Sequence, residues 1–343
     1  MSRPIVLCVL LVGCGFKSEP AGTGPTGPSD ANLDGSTITP GMDAGTGDGS
    51  SGGGTTDCLT RWLNGTVKLE TPQALTNQSS TTADERDPWV SSDGLNLYYT
   101  FAPSGGSTGA DIYRATRGAT SAVFPAGVRL TNLDTNNDES RGSLSDDGKT
   151  LVLASNRTGG TFQIYYATRN TTTMDFPSAD TRHVATINAI AGNHYDPFLS
   201  RDGLELYFAP TPGDQHIYHA TRTDPNGDFG AATAVPVINS TVAGEADADP
   251  AMSLDKHILL FSSTRVVAGD PKGGNLWYAT RQDVTGNFDP PKLVPDVNSD
   301  NPDGDPMLSA DGCTLYFAAT KGTGTTYDIY SAAVETTTDS LGK

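Results

Sequence analysis

Four aspartates recur in one sequence setting and are the first candidates for chemistry. Asp87, Asp196, Asp249 and Asp305 each stand directly before a proline, and Arg141 takes the equivalent place in a fifth segment. Carboxylates that converge on one point can bind a cation such as Ca²⁺, hold a polar ligand or act as an acid and a base. The alternative is that each aspartate shapes a turn in its own segment, because Asp bonds readily to nearby backbone.

These residues belong to five copies of one repeat, spaced 53 to 56 residues apart. The copies are DPWVSSDGLNLYYTF (87–101), RGSLSDDGKTLVLAS (141–155), DPFLSRDGLELYFAP (196–210), DPAMSLDKHILLFSS (249–263) and DPMLSADGCTLYFAA (305–319). A second unit follows each copy, as DIYRATR, QIYYATR, HIYHATR, NLWYATR or DIYSAAV. A fold requirement recurs in every copy and a catalytic one need not, so the repetition favours turn-shaping aspartates.

Each repeat predicts four short antiparallel strands. The Ser-x-Asp-Gly step joins two β-forming runs, the second unit supplies a third strand, and a Phe-led third unit supplies a fourth. A period near 50 residues without helical periodicity indicates a β-propeller blade. The last copy lacks its third unit, and VKLETPQALTN (67–77) resembles it. We therefore expect an all-β propeller of five four-stranded blades, with six as the alternative, whose N-terminal strand completes the last blade.

The pattern D-P-x-x-S-x-D-G-x-x-L-Y-F followed by D-I-Y-x-A resembles the WD40-like (PD40-type) repeats of TolB-type periplasmic propellers. The resemblance covers nearly all of 58–334 and is specific to a repeat architecture rather than to a function. TolB-like domains have six blades, so five would be a departure. A five-bladed propeller with a leading Asp is also similar to arabinanase-type glycoside hydrolases, which use paired carboxylates.

We place the five repeat-leading residues at the head of the first strand of each blade. In a propeller that strand is innermost, so these residues should gather near one mouth of the central channel. Strand alternation predicts that the variable residues two places later face the channel: Trp89, Ser143, Phe198, Ala251 and Met307. The next position is uniformly apolar and should pack between blades: Val90, Leu144, Leu199, Met252 and Leu308. Trp89 and Phe198 either stack on a ligand or plug the channel, and we favour plugging. The candidate ligand site at the mouth is Asp87, Trp89, Arg141, Asp196, Phe198, Asp249 and Asp305.

Other candidates for chemistry are few. Two Asp-rich segments, DTNNDES (134–140) and DVNSDNPDGD (296–305), hint at calcium loops, but they lack the spaced Gly and terminal Glu of the helical calcium loop. They also fall at blade junctions, where polar turns are expected. The sequence has no G-x-S-x-G elbow and no H-E-x-x-H pair, and its five histidines are scattered. We therefore expect no catalytic residue, metal or cofactor, with Ca²⁺ as the alternative.

The N-terminus resembles a bacterial lipoprotein signal. Residues 1–13 combine a basic start with a short apolar run, and Gly13-Cys14 matches the end of a lipobox. The resemblance implies that Cys14 is the first mature residue and carries the lipid. Residues 14–57, rich in Gly, Ser, Thr, Pro and Asp, would form a flexible tether. The propeller would then occupy 58–338 and a short tail 339–343.

Charge and cysteine usage complete the expectations. A net charge of −18 argues against nucleic acid and against electrostatic adhesion to anionic lipid. Cys58 and Cys313 are either one disulfide, which ring closure would make geometrically accessible, or two free thiols. We predict a non-catalytic, monomeric lipoprotein of the bacterial envelope. Its lipid would anchor it to the outer membrane, facing periplasm or exterior, and its propeller would bind a protein, peptide or glycan. The alternative is a glycosidase.

Overall fold

The computed structural model describes residues 58–335, except 104–108, 178–180, 212–214, 268–273 and 321–325. It is an all-β protein of five four-stranded antiparallel sheets, which confirms the five-bladed propeller predicted from the repeats. The predicted signal (1–13), lipidated Cys14, tether (14–57) and tail (339–343) lie outside the described residues. Neither helix within the described ranges has the length and hydropathy to cross a membrane.

The blades follow one another along the chain, with the strand nearest the channel first. Blade 5 takes its outermost strand from the N-terminal segment, as β1 (Gln73–Ala74). From the channel outward, blade 1 contains β2 (Ala83–Val90), β3 (Asn96–Pro103), β4 (Asp111–Thr116) and β5 (Val128–Arg129). Blade 2 contains β6 (Glu139–Leu144), β7 (Thr150–Ser155), β8 (Gln163–Thr168) and β9 (Arg182–His183). Blade 3 contains β10 (His194–Leu199), β11 (Glu205–Pro210), β12 (Tyr218–Thr221) and β13 (Thr233–Ala234).

Blades 4 and 5 repeat this arrangement. Blade 4 contains β14 (Asp247–Met252), β15 (Ile258–Ser263), β16 (Asn275–Thr280) and β17 (Lys292–Leu293). Blade 5 contains β18 (Asp303–Leu308), β19 (Thr314–Ala319) and β20 (Asp328–Ala333), with β1 as its outermost strand. The two helices are α1 (Cys58–Leu63) and α2 (Ala185–Asn188). The outermost strand of every blade is two residues long, so the predicted fourth strand is present but short.

The ring closes through the N-terminal segment, as predicted. β1 pairs antiparallel with β20, placing Gln73 opposite Ser331 and Ala74 opposite Tyr330. A closed ring leaves no long edge strand open to pairing with another chain. Because β1 completes the last blade, residues far apart in the sequence hold the two ends of the propeller together.

Helix α1 strengthens this closure. Trp62 is fully buried, its indole N–H donates to the Gly312 carbonyl at 3.0 Å, and its ring meets Tyr278 edge-on. Cys58 and Cys313 are joined in a disulfide, with 5.1 Å between their Cα atoms. Gly312 has φ +72°, and a Cβ there would lie 2.6 Å from the Leu59 side chain, so glycine is required at this contact.

The Ser-x-Asp-Gly turns between the first two strands of each blade have the predicted chemistry. In blade 2, Asp147 Oδ1 accepts the Lys149 backbone N–H at 3.0 Å and the Ser145 hydroxyl at 2.7 Å. Gly148 follows with φ 64°. In blade 4, Lys256 adopts the same positive φ in place of glycine. The turn is therefore set locally, and it fixes the register of the two inner strands.

Candidate functional site

The repeat-leading Asp and Arg residues lie inside the inner strands, each at a β-bulge. In blade 1 the pairing of β2 with β3 shifts register between Arg86 and Trp89, and the other four blades shift at the equivalent place. All five leading residues have φ between 53° and 56°. The expectation that they stand at the head of the strand is wrong. A bulge re-aims a side chain and tightens the local twist, and Asp tolerates this left-handed backbone better than most residues.

The bulge lets an aspartate carboxylate reach the neighbouring blade. Asp87 Oδ2 accepts the backbone N–H of Arg141 at 3.2 Å and the Thr100 hydroxyl at 2.6 Å. Asp249 Oδ2 lies 3.4 Å from the backbone nitrogen of Asp305 in the same way. These aspartates therefore tie adjacent inner strands together, a role in the packing of blades rather than in a turn of their own blade.

Arg141 brings three of the four aspartates together across the channel. Its Nη1 lies 2.9 Å from Asp87 Oδ1, 2.5 Å from Asp305 Oδ1 and 3.5 Å from Asp249 Oδ1. All four side chains are at least four-fifths buried. The guanidinium therefore supplies the internal counter-charge for carboxylates contributed by blades 1, 4 and 5.

Burial and neighbouring charges shift the pKa values of these acids in opposite directions. Burial opposes the charge on Arg141, but the surrounding carboxylates outweigh it and raise its pKa. Burial also opposes ionisation of Asp87, yet Arg141 and the Thr100 hydrogen bond lower its pKa below the ordinary value. Burial and then the charge of Asp249 raise the pKa values of Asp196 and Asp305 well above the ordinary range. These last two carboxyls keep their protons at pH values where a surface Asp is ionised.

The channel beside this cluster is filled. The variable residues Trp89, Ser143, Phe198, Ala251 and Met307 line a cavity of about 20 Å³. That volume holds about one water molecule. Trp89 and Phe198 are 3% and 4% exposed. Their rings are therefore packed into the channel and present almost no surface to a ligand.

Trp89 is held by a residue that the sequence analysis missed. The Arg201 guanidinium lies 4.1 Å from the centroid of the Trp89 ring, and its Nη2 donates to the Val90 carbonyl at 2.6 Å. Tyr98 meets the indole edge-on at 5.7 Å. Burial lowers the pKa of Arg201 to about 10, and the charges of Asp146 and Asp93 oppose that shift. A sequence signal existed, because the residue between Ser and Asp in the repeated turn differs in every copy.

The channel mouth is asymmetric at the position just before the leading Asp or Arg. The five residues there differ in size and charge: Arg86, Ser140, Tyr195, Ala248 and Gly304. The first four are half-buried, so they remain accessible beside the buried cluster. This position varies in every copy, which was the sequence signal that could have identified it.

Two aromatic contacts shape this mouth. The Arg86 guanidinium lies 3.7 Å from the Tyr327 ring centroid and pairs with Asp84 at 3.1 Å. The nearby Asp305, Asp84 and Tyr327 raise the pKa of Arg86 against the opposing effect of burial. In blade 3, Tyr195 packs against Phe162 with ring centroids 5.1 Å apart. One cation and three aromatic rings thus lie on two sides of the opening.

A second polar ring lies between blades, two residues before the leading Asp or Arg, and was also missed. Its members are all fully or almost fully buried: Glu85, Glu139, His194, Asp247 and Asp303. The acids accept backbone N–H groups of the preceding loop, as Asp247 does from Ser240 at 2.6 Å. Burial raises the pKa of Glu85 to about 8, with nearby Asp328 and Asp84 adding to the shift against the Ser80 N–H. These residues join strands and loops.

No protein-family model matches the chain, and no curated protein matches it. It is similar in structure to an α-L-arabinofuranosidase from Podospora anserina solved with cellotriose. The TM-score is 0.51 at 10% identity, over 79% of this chain and 96% of that one. It is also similar to TolB from Acinetobacter baumannii, with a TM-score of 0.45 at 16% identity over 73% of this chain and 55% of that one. An arabinanase from Bacillus subtilis gives a TM-score of 0.47 at 11% identity over 75% of this chain and 97% of that one. At 10% identity the likeness to the Podospora anserina enzyme shows a shared fold alone and leaves the activity to be judged from the site.

Proposed function

We propose that this chain is a non-catalytic binding propeller of the bacterial cell envelope, which holds a protein, peptide or glycan at its channel mouth. The observation that carries the proposal is the engagement of the candidate catalytic carboxylates. Asp87, Asp249 and Asp305 contact Arg141, and the adjoining cavity has a volume of about 20 Å³. A general acid or base must come within hydrogen-bonding distance of its substrate. A cavity that admits about one water leaves no room for a sugar beside these carboxylates.

The rim of the mouth supplies the binding chemistry. Arg86 stacked on Tyr327, and Tyr195 packed on Phe162, combine large aromatic faces with a cation. Tyr and Arg are the residue types that contribute most to hot spots in protein interfaces, because they bury large surfaces while keeping polar ends. Ala248, at the same position in blade 4, is small and half-buried.

The partner is sought with the tethered protein in native membranes. Pull-downs compare wild type with Arg86→Ala and Tyr195→Ala, and a glycan-binding screen runs beside them. Ser140→Ala is the matched control, because Ser140 occupies the same position in blade 2. We expect both test variants to remain folded but to lose the partner, while the control retains it. Capture undiminished by both test variants would show that the mouth is not the binding surface.

Envelope anchoring is part of the proposal and has its own test. The resemblance of 1–14 to a lipoprotein signal supports it, and Cys14 is the lipidated residue it implies. Cys14→Ala should move the protein from the membrane fraction to the soluble fraction. Unchanged membrane partitioning of that variant contradicts the anchor and leaves the channel-mouth proposal standing.

A glycosidase is the second candidate, and one observation favours it. The pKa of Asp87 is lowered while those of Asp196 and Asp305 are raised, and an acid and a base in one site require such a separation. We test it with arabinan and arabinoxylan oligosaccharides. The binding proposal expects no hydrolysis. Hydrolysis that disappears in folded Asp87→Asn and Asp196→Asn variants would establish the enzyme instead.

A further inference from the structure

Three carboxylates converge at the junction of blades 1 and 2, away from the channel cluster. Asp111 begins β4, Asp134 lies in the loop after β5, and Glu139 begins β6. One carboxylate oxygen from each lies within 4.8 Å of the other two. Calcium holds its oxygen ligands at 2.3–2.6 Å, so two ligands of one ion are separated by about 5 Å at most. A single ion can therefore contact all three carboxylates.

One of these carboxylates has an oxygen without a donor. Asp111 is 4% exposed, and its buried Oδ1 has no hydrogen-bond partner among the described residues. Its Oδ2 is occupied by Arg129 Nη1 at 3.0 Å. A buried acceptor that gives up its water without a replacement carries an unfavourable free energy. Asp328 Oδ1 in blade 5 is bare in the same way, so the feature that sets Asp111 apart is the convergence of Asp134 and Glu139 on it. The bare oxygen and this convergence together point to a ligand that supplies positive charge.

Three other blades carry an asparagine at the position equivalent to Asp134. These residues are Asn188, Asn239 and Asn298. Each of these amides bonds to both the N–H and the C=O of one residue that lies in the third strand or directly before it. Asn188, for example, accepts from Ile164 at 2.9 Å and donates to it at 2.7 Å. An ionised aspartate cannot donate, so Asp134 cannot form this two-way bridge.

The position of Asp111 differs in the same way. Its equivalents in blades 2 to 4 are Gln163, His216 and Asn275. In blade 5 the equivalent is Asp328, which contacts Ser79 where blade 1 has a second acid, Asp134. Within the described residues, the blade 1–2 junction is the one group whose acidic or histidine ligand atoms converge closely enough for a metal ion. Asp111 and Asp134 are therefore particular to this junction, whereas Glu139 belongs to the buried polar ring that recurs in every blade.

Two arginines already face the cluster. Arg129 pairs with both Asp111 and Asp134 from the outside, and its side chain is 43% exposed. Arg157 Nη2 lies 3.6 Å from Glu139 Oε1. Three carboxylates still exceed two guanidinium groups, and the exposure of Arg129 gives it room to turn into solvent. Competition from Arg129 places the expected affinity in the weak range of extracellular calcium modules, a Kd of about 10⁻⁴–10⁻³ M.

We propose that Asp111, Asp134 and Glu139 form a Ca²⁺ site, which the ion enters as Arg129 turns outward. The hydroxyls of Thr135 and Ser155, at 2.8 and 2.7 Å from Glu139 Oε1, add oxygen atoms beside it. An all-oxygen set assembled from two strands and a loop suits Ca²⁺, whose coordination is flexible, better than Mg²⁺, which demands a near-ideal octahedron. The ion would fasten the outer part of blade 1 to the inner strand of blade 2. The proposal is independent of what the channel mouth binds.

The test is calorimetric titration of chelator-treated full-length protein with CaCl₂ at pH 7.5, repeated with MgCl₂. We expect one Ca²⁺ per chain, weaker Mg²⁺ binding, and a melting temperature raised by about 3 °C at ten times the Kd. Asp134→Asn introduces the amide found at the same place in three other blades, so it should fold and weaken Ca²⁺ binding at least tenfold. Asp328→Asn, the matched control in blade 5, should bind as wild type does. Arg129→Gln removes the competing cation and should tighten binding.

Each result of the titration that would contradict the Ca²⁺ site is distinct. No Ca²⁺ binding up to 10 mM, with stability that responds to pH alone, would show that the cluster holds a proton rather than an ion. Binding unaltered in Asp134→Asn, or lost equally in Asp328→Asn, would place the ion elsewhere and overturn the site. Should Asp134→Asn fail to fold, Asp111→Asn makes the same comparison, because it removes the bare oxygen's charge while keeping its shape.

Discussion

Replacing Arg141 with glutamine should destabilise the propeller more than any single aspartate substitution in the channel cluster. The guanidinium faces Asp87, Asp249 and Asp305 at 2.5–3.5 Å, and every partner is at least four-fifths buried. Removing one side of a buried ion pair leaves uncompensated charge and costs about 3–5 kcal/mol of unfolding free energy. For a chain of this size, that is a fall in melting temperature of about 10 °C.

The loss should depend on pH, and the sign follows from the acids. The pKa of Asp87 is lowered, so its interaction with Arg141 stabilises the fold above the ordinary pKa of Asp and fades as pH falls through the lower, folded value. Without Arg141 the cluster acids bind protons more readily in the folded state. The variant should therefore recover relative to wild type as pH drops from 8 to 5. Arg141→Asp, which gives the second copy the leading Asp of the other four, should destabilise the fold more than Arg141→Gln at pH 8.

The assay is equilibrium denaturation followed by tryptophan fluorescence at pH 5, 6.5 and 8. Arg222→Gln is the control, because Arg222 is equally buried but donates to the carbonyls of Gly203 and Gly227 instead of to carboxylates. Its destabilisation should change little with pH. A loss below about 1 kcal/mol for Arg141→Gln, or a loss that is the same at all three pH values, would refute the counter-charge argument.

Three further predictions follow from buried contacts. Cys313→Ser, which opens a disulfide of sequence separation 255, should lower stability by up to about 5 kcal/mol, and a melting temperature equal to that of wild type under non-reducing conditions contradicts it. Trp89→Phe should cost about 1–2 kcal/mol and Trp89→Ala about 3–5 kcal/mol, because packing rather than the indole N–H, which has no hydrogen-bond partner in the described part of the chain, holds this residue. Equal losses in the two variants would show that the N–H matters. Glu85 has a pKa raised to about 8, so wild-type stability should fall as pH rises from 4.5 to 8; Glu85→Gln should flatten that fall in thermal scans, and an unchanged slope would refute the assignment.

The repeat made most of the fold predictable. Each copy of the repeat contains the alternating strand pattern and the Ser-x-Asp-Gly turn, so these features can be identified five times. The regular spacing of the copies then gives the number of blades. The missing last unit and its match at 67–77 were enough to predict closure by the N-terminal strand, which β1 confirms. Composition also favoured some classes of function over others, because a net charge of −18 argues against a nucleic-acid surface.

The candidate site was harder to predict because its side chains meet across blades. Asp87 was placed at a strand head, and the bulge that puts it inside β2 depends on how the neighbouring blade packs. The stacking of Arg201 on Trp89 joins residues 112 positions apart in blades 3 and 1. Repetition suggested a structural role for the aspartates. The sequence of one copy does not show which neighbouring blade its aspartate contacts, so that contact could not be predicted.

The sequence by itself determined the blade: its strands, its turn, its number of copies and the one residue, Arg141, that breaks the ring of aspartates. The tertiary structure alone decided which of those residues touch. Contacts within a blade follow from period and turn chemistry, which a short segment carries. Contacts between blades follow from the rotation that relates one blade to the next, and that rotation brings Arg141 to Asp305, and Glu139 to Asp111 and Asp134. The ion pair at the centre exists because the ring closes, and the acid cluster exists because blade 2 packs against blade 1.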